Sequence, residues 1–165
     1  MIAGSSTRGS SAIRAAHRVA WLVLVAISIS VAIYTVVGLL VVAARGEPQE
    51  QPQLRIPFYV AALFLALGSF AFRRTQLRWI KLQAVAGTRG RAGLVKYLVN
   101  TTIISVGMAE LIGLLGLILS FMGASQRDVL TLGIVALIVG LSCYPRRLAW
   151  ERTVDYLSSK EPDFE

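Results

Sequence analysis

The chain has 165 residues, of which 55% are hydrophobic, and its mean hydropathy is +0.64. A hydropathy this high excludes an ordinary soluble domain, and the length is that of a single domain. The apolar residues are gathered into four blocks and do not alternate with polar residues, which argues against the strands of a membrane β-barrel. We therefore predict an all-α, polytopic membrane protein with four transmembrane helices.

The four predicted transmembrane helices cover residues 19–44, 56–72, 97–122 and 129–144. A basic flank, residues 1–18, precedes the first helix and has the composition of the start of a signal peptide. The first apolar block is 26 residues long, whereas the apolar region of a signal peptide has about 7–15. We therefore expect this block to be retained as a transmembrane helix, with the flank disordered at its start and helical from near Ala12.

The segment between the second and third predicted helices, residues 73–96, contains seven basic and no acidic residues. Leu77, Ile80 and Ala84 recur in it at helical spacing and predict a short amphipathic helix lying among lipid headgroups. The sequence GTRGRAG, residues 87–93, lacks the spacing of a phosphate-binding loop and predicts a flexible turn. We expect this loop to contact anionic headgroups through six basic residues. They are Arg73, Arg74, Arg78, Lys81, Arg89 and Arg91.

Two other stretches lie outside the predicted transmembrane helices. Pro48 and Pro52 prevent the first helix from continuing and predict a turn before the second. The tail, residues 145–165, is polar and mixed in charge, but three of its apolar residues recur at helical spacing. These are Trp150, Val154 and Leu157. We expect them to form a short surface helix, followed by disorder.

The positions of the basic residues predict the orientation of the chain. Of the 17 Lys and Arg residues, 14 lie in the N-terminal flank, the central loop and the tail, and 3 lie in the other two connections. The positive-inside rule then places both termini and the central loop in the cytoplasm. The net charge of +8 does not indicate a nucleic-acid partner, because no nucleic-acid-binding motif accompanies it. We predict a multi-pass protein of the bacterial inner membrane.

Residues that carry catalysis or bind metal ions are scarce. Cys143 is the only cysteine and His17 the only histidine, so the chain has no internal disulfide and no zinc-ligand spacing. The sequence also lacks a Ser/His/Asp set and a pair of carboxylates suited to acid–base chemistry. We therefore predict no enzymatic activity, no cofactor and no metal site.

Glu110 lies near the middle of the third predicted helix and is the only charged residue between positions 97 and 122. A carboxylate at the centre of a bilayer costs about 2.5–3.5 kcal/mol, and such a residue is by default a candidate functional site. Gly107, Gly113 and Gly116 are small residues near it that let another helix approach closely. We expect these glycines to pack at a helix interface and Glu110 to face that interface, where it is a candidate ion-binding residue.

The partner of Glu110 within the chain has to be uncharged, because the four predicted helices contain no Lys, Arg or His. A hydroxyl, a backbone carbonyl or water remains. The candidate hydroxyls are those of Ser28, Ser30, Tyr34, Ser69 and Thr131. A protonated glutamate held by one such bond has a structural role, whereas one that also meets a path of water binds and releases a proton. The residues support both alternatives.

Residues 109–119 carry the pattern A-E-x-I-x-x-x-G-L-I-L and follow Thr101 and Thr102. This segment resembles the ion-binding helix of the proteolipid (subunit c) of rotary ATP synthases. The resemblance implies that Glu110 occupies the position of the ion-carrying carboxylate. The second predicted helix differs from the proteolipid, since it has a single glycine, Gly68, in place of a glycine repeat. The four-helix layout also resembles small bacterial inner-membrane proteins of unknown function, and this resemblance implies nothing about activity.

Two functions follow from these observations. The first is a non-catalytic membrane protein that acts as an accessory, assembly or structural element, with Glu110 at a helix interface. The alternative is a proton- or cation-binding membrane protein that uses Glu110 as its ion-carrying carboxylate, as the resemblance implies. The expected partners are the lipid bilayer, anionic headgroups, and either further copies of the chain or a larger membrane complex.

Overall fold

A computed structural model describes residues 5–46, 52–144 and 147–158, and all of its regular structure there is helical. The five helices are α1 (Ser5–Arg45), α2 (Pro52–Gln76), α3 (Trp79–Phe121), α4 (Gln126–Ser142) and α5 (Arg147–Ser158). The all-α prediction is thereby confirmed. The predicted turn at Pro48, the boundary at residues 145–146 and the disorder after residue 158 lie outside the described residues.

Three segments are long and apolar enough to cross a membrane: Ile13–Arg45, Arg55–Gln76 and Trp79–Phe121. Large apolar side chains also cover the outer surface of the bundle, as Phe64, 71% exposed, and Ile138, 60% exposed, illustrate. Such a surface is unfavourable in water and suits contact with acyl chains. The chain is therefore a helical membrane protein. The fourth predicted span corresponds to α4, which has 17 residues.

The central helix of the bundle is α3, which packs against each of the other four helices. Its Gly113 lies beside Val31 of α1, and farther along Gly38 of α1 lies beside Ser120 of α3. Because both residue numbers rise together from one contact to the next, α1 and α3 run parallel. On another side of α3, the absence of a side chain at Gly116 admits Leu132 of α4. The glycines thus bring three helices close together.

Helices α2 and α4 run in the same direction and begin and end at the same levels. At their first turns, Arg55 Nε lies 3.3 Å from Asp128 Oδ2. At the other end, the Arg73 guanidinium donates hydrogen bonds to the carbonyl oxygens of Ser142 and Tyr144. A cation there compensates the negative end of the α4 dipole. The part of α2 between Arg55 and Arg73 therefore lies beside the whole of α4.

The structure corrects the prediction of a long basic loop at residues 73–96. Helix α2 continues to Gln76 and α3 begins at Trp79, so only Leu77 and Arg78 connect them. The predicted flexible turn at residues 87–93 is helical except at Gly90, whose φ of 60° and ψ of −170° interrupt α3. The surrounding residues are mostly good helix formers, and the glycine is the one residue type that adopts this conformation without strain.

A buried apolar cluster lies at the end of the bundle where α5 packs against α1 and α3. We call it the α5 cluster. Its buried members are Ile13, Ala20, Leu82, Ala86, Leu94, Leu98, Trp150, Val154 and Leu157. Trp150, Val154 and Leu157 lie on one face of α5, which confirms the helix predicted in the tail. The cluster brings the beginning of α1 and the tail to the same end of the bundle.

Candidate intramembrane site at Glu110

Glu110 lies on α3, next to residues that are fixed in the core. Ala109 is 1% exposed and Ile112 is 0% exposed. Since successive residues of a helix turn by 100°, the burial of these two neighbours places Glu110 at the edge of the buried face. Its side chain is half-buried. The site is therefore at the rim of a helix interface, between the core and the outer surface.

The partner of Glu110 is Tyr34 of α1, whose hydroxyl donates a hydrogen bond to Glu110 Oε1 at 3.3 Å. Tyr34 is one of the five hydroxyl candidates from the sequence. Three others bond to backbone carbonyls: Ser28 to Leu24, Ser69 to Ser105, and Thr131 to Arg127. The bonds of Ser28 and Thr131 lie within their own helices, which is ordinary for Ser and Thr, whereas Ser69 of α2 bonds across to α3. The carboxyl thus links the parallel helices α1 and α3 through one long hydrogen bond.

The three glycines near Glu110 lie in different surroundings. A Cβ atom at Gly113 would be 3.1 Å from the nearest atom of Val31, and one at Gly116 would be 3.2 Å from Cβ of Leu132. A Cβ atom at Gly107 would have no atom of the described residues, other than its immediate helical surroundings, within 4 Å. Because Gly107 precedes Glu110 by three residues, it lies on the same face of α3. The structure therefore leaves open space beside the carboxyl.

The described side chains at this site support hydrogen bonding and proton binding. Within the described residues, no group of three or more His, Cys, Asp or Glu side chains is placed to hold a metal ion. Glu110 has the Tyr34 hydroxyl as donor and, when protonated, can itself donate a hydrogen bond.

A second polar cluster, which the sequence reasoning missed, surrounds Asp128 at the start of α4. The Tyr59 hydroxyl donates to Asp128 Oδ1 at 2.9 Å, while Ser125 donates its backbone N–H at 3.0 Å and its hydroxyl at 2.7 Å to Oδ2. Arg55 adds an ion pair to the same carboxylate. Ser125 and Asp128 also form a capping box, a Ser followed three residues later by an acidic side chain before an apolar run. That signal is visible in the sequence.

Burial and bonding act on Asp128 in opposite directions. Burial raises the pKa of Asp128, whereas the hydrogen bonds from Ser125 and Tyr59 and the charge of Arg55 lower it. The lowering interactions prevail together, so the pKa lies below its ordinary value of 3.8. The carboxylate is therefore charged at neutral pH and holds the first turns of α2 and α4 together.

The six basic residues predicted to contact headgroups are used in different ways. Arg91 Nη2 lies 2.8 Å from Asp155 of α5, and Lys81 donates to the side-chain oxygen of Gln76 at 3.0 Å. Arg73 donates to the end of α4. The remaining three are exposed: Arg74, Arg78 and Arg89.

Comparison with known proteins gives no match: no protein-family model, curated protein or solved structure is significantly similar to this chain.

Proposed function

We propose that the chain is a multi-pass protein of the bacterial inner membrane with four transmembrane helices and both termini in the cytoplasm. The alignment of α2 with α4 supports the fourth crossing. Because Arg55 meets Asp128 at one end and Arg73 meets the carbonyl of Ser142 at the other, α4 extends across the same thickness as α2. An α2 that crosses the bilayer then has a crossing α4 beside it.

The α5 cluster supports an even number of crossings. Val154 of α5 and Ile13 near the start of α1 belong to the same buried cluster, so the two terminal regions lie at one end of the bundle. The parallel course of α1 and α3 agrees with this arrangement, since each would leave the cytoplasm in the same direction. The excess of Lys and Arg in the flank, the α2–α3 region and the tail favours the cytoplasm for that end.

Labelling of single cysteines tests this topology. In a background with Cys143→Ser, we would place one cysteine at an exposed position: Thr88, Gln126 or Arg152. A membrane-impermeant maleimide should label the Gln126→Cys protein in intact cells and the other two only after permeabilisation. Labelling of Arg152→Cys in intact cells, with Thr88→Cys protected, would exclude the fourth crossing.

For the function, we propose a non-catalytic accessory or assembly element in which Glu110 joins helices inside the membrane. The observation that carries this proposal is the hydrogen bond from Tyr34 to Glu110 across the interface of α1 and α3. A single hydroxyl donor holds the carboxyl without forming a catalytic set. The expected partners are the bilayer, anionic headgroups, and further copies of the chain or a larger membrane complex.

Two substitutions test the structural role. Glu110→Gln should leave folding and assembly nearly unchanged, because the neutral amide still accepts the hydrogen bond from Tyr34. Glu110→Leu removes the acceptor and leaves the Tyr34 hydroxyl without its partner, so it should destabilise the protein by about 1–3 kcal/mol. Equal unfolding free energies for the two variants in detergent would contradict an interhelical role for this bond.

The open space at Gly107 favours the alternative function, a proton- or cation-binding protein that uses Glu110 as the ion-carrying residue. A half-buried carboxyl beside an opening is accessible from the lipid phase. This accessibility, together with the resemblance of residues 109–119 to the proteolipid helix, is what supports ion binding by Glu110.

Labelling by a hydrophobic carbodiimide in native membranes separates the two functions. Mass spectrometry would measure modification of Glu110 between about pH 5 and 9, with Glu110→Gln as the blank. Modification that decreases as the pH rises supports ion binding, because the reagent reacts with the protonated acid. Gly107→Val should then block the reaction by filling the opening, whereas Gly68→Val should not. No modification of the wild-type protein at any pH would support the purely structural role.

A further inference from the structure

A shallow cavity of about 490 Å³ opens at the end of α2 that faces the α2–α3 connection. Its lining consists of Phe70, Arg73, Arg74 and Leu77. The volume falls within the range of about 300–1,000 Å³ common for small-molecule sites. Two cations and two apolar side chains form the walls, and this combination suits an amphipathic anion better than a purely polar or purely apolar molecule.

The two arginines of the cavity have different roles. The Arg73 guanidinium donates to the carbonyl oxygens of Ser142 and Tyr144, so the structure holds it at the end of α4. Arg74 is exposed, and within the described part of the chain its guanidinium makes no hydrogen bond or ion pair. Arg74 therefore has its donors available for an external anion, and Arg73 contributes a fixed positive charge next to it.

An apolar stripe on α2 leads directly to Arg74. Leu63 and Leu67 are each 58% exposed and Phe70 is 51% exposed. Their spacings of four and three residues, with Arg74 four residues farther on, place all of them on one face of the helix. At 1.5 Å per residue the stripe is about 16 Å long, close to half of a hydrocarbon core of about 30 Å. It therefore has the length of one lipid leaflet.

We propose that this cavity binds one anionic phospholipid, with the phosphate at Arg74 and an acyl chain along the stripe from Phe70 to Leu63. A phosphodiester headgroup pairs with the free guanidinium, and the acyl chain covers apolar surface that a free phosphate would leave exposed. The bound lipid lies next to Arg73, which contacts the end of α4. The proposed topology places this lipid in the cytoplasmic leaflet, whereas the binding site itself does not depend on that topology.

Native mass spectrometry of the full chain in a neutral detergent tests the site. The protein would be titrated with phosphatidylglycerol and with phosphatidylcholine of the same acyl chains. We expect one phosphatidylglycerol to bind in preference to phosphatidylcholine. Arg74→Gln should lower the affinity for phosphatidylglycerol about fivefold, the effect of one basic residue at an anionic surface. Arg74→Lys should retain most of it.

Arg89→Gln is the matched control, because Arg89 is an exposed arginine of α3 that does not line the cavity. It should bind phosphatidylglycerol like the wild-type protein. Inorganic phosphate in millimolar excess should not displace the lipid, since it cannot use the apolar stripe. Equal losses in the Gln variants of Arg74 and Arg89 would show only general electrostatic attraction and overturn the proposal, as would displacement by phosphate. Detergent removes sidedness, so a failure here leaves the topology intact.

Discussion

Replacing Asp128 with alanine would remove the carboxylate that connects the first turns of α2 and α4. The carboxylate accepts a 2.9 Å hydrogen bond from Tyr59, two bonds from Ser125, and the ion pair with Arg55. The same chain offers an exposed ion pair for comparison with Arg55 and Asp128, since Asp155 pairs with Arg91 at 2.8 Å. Asp128 is buried in a network of hydrogen bonds, whereas Asp155 lies in an exposed ion pair.

The magnitude follows from the number and burial of these bonds. A hydrogen bond to a charged group contributes about 1.5–3 kcal/mol, and loss of a helix cap costs about 1 kcal/mol. Because the bonds of Asp128 share one side chain, their contributions are not additive, and we expect Asp128→Ala to cost about 3 kcal/mol. Asp155 has a side chain that is 63% exposed, so Asp155→Ala should cost at most about 1 kcal/mol.

Unfolding in mixed micelles with increasing fractions of sodium dodecyl sulfate, followed by circular dichroism, would measure both variants against the wild-type protein. The double variant Tyr59→Phe with Asp128→Ala completes a thermodynamic cycle. We expect Tyr59→Phe to be costly in the wild-type background and nearly neutral once Asp128 is absent. Equal effects of Tyr59→Phe in both backgrounds, or equal costs for the two aspartate variants, would refute the network.

The pH dependence of this stabilisation has a definite sign. The pKa of Asp128 is lower in the folded protein than its ordinary value of 3.8, so the unfolded chain binds the proton more tightly. The contribution is complete above about pH 4 and is lost as the pH falls through the folded pKa. The stability difference between the wild-type protein and Asp128→Ala should therefore narrow below about pH 4. A stability difference that stays constant from about pH 6 to about pH 3 would contradict a lowered pKa of Asp128 in the folded protein.

Two further predictions concern glycines and use the free energy of unfolding as readout. A Cβ atom at Gly133 would collide with Oγ1 of Thr35, so Gly133→Ala should destabilise the protein by about 1–3 kcal/mol. Gly68 lies in open space, so Gly68→Ala should be neutral or stabilising by up to about 1 kcal/mol. Gly90 has a φ of +60°, so Gly90→Ala should cost about 1 kcal/mol or more, while Gly87→Ala in the same helix should not. Equal stabilities of Gly133→Ala and Gly68→Ala would contradict the packing explanation. Equal stabilities of Gly90→Ala and Gly87→Ala would contradict the backbone explanation.

The sequence predicted the location of the basic residues but not their individual contacts. The sequence identified Arg73 and Arg74 as residues at a membrane interface, and the structure places them at the end of a candidate span. It could not show that Arg73 bonds to the end of α4 while Arg74 has no such bond to any described residue, because that difference depends on how α2 packs against α4. Neighbouring residues of the same type acquire different roles only through long-range contacts.

The sequence by itself determined the class of the protein, because long uninterrupted apolar blocks are stable as membrane helices and an intramembrane carboxyl such as Glu110 is visible as an isolated charge. Local periodicity also determined the helix of Trp150, Val154 and Leu157. Only the tertiary structure decided which hydroxyl meets Glu110, that α3 begins at Trp79, and where it breaks. The choice of Tyr34 depends on a contact between residues 76 positions apart in the sequence, which no local pattern encodes.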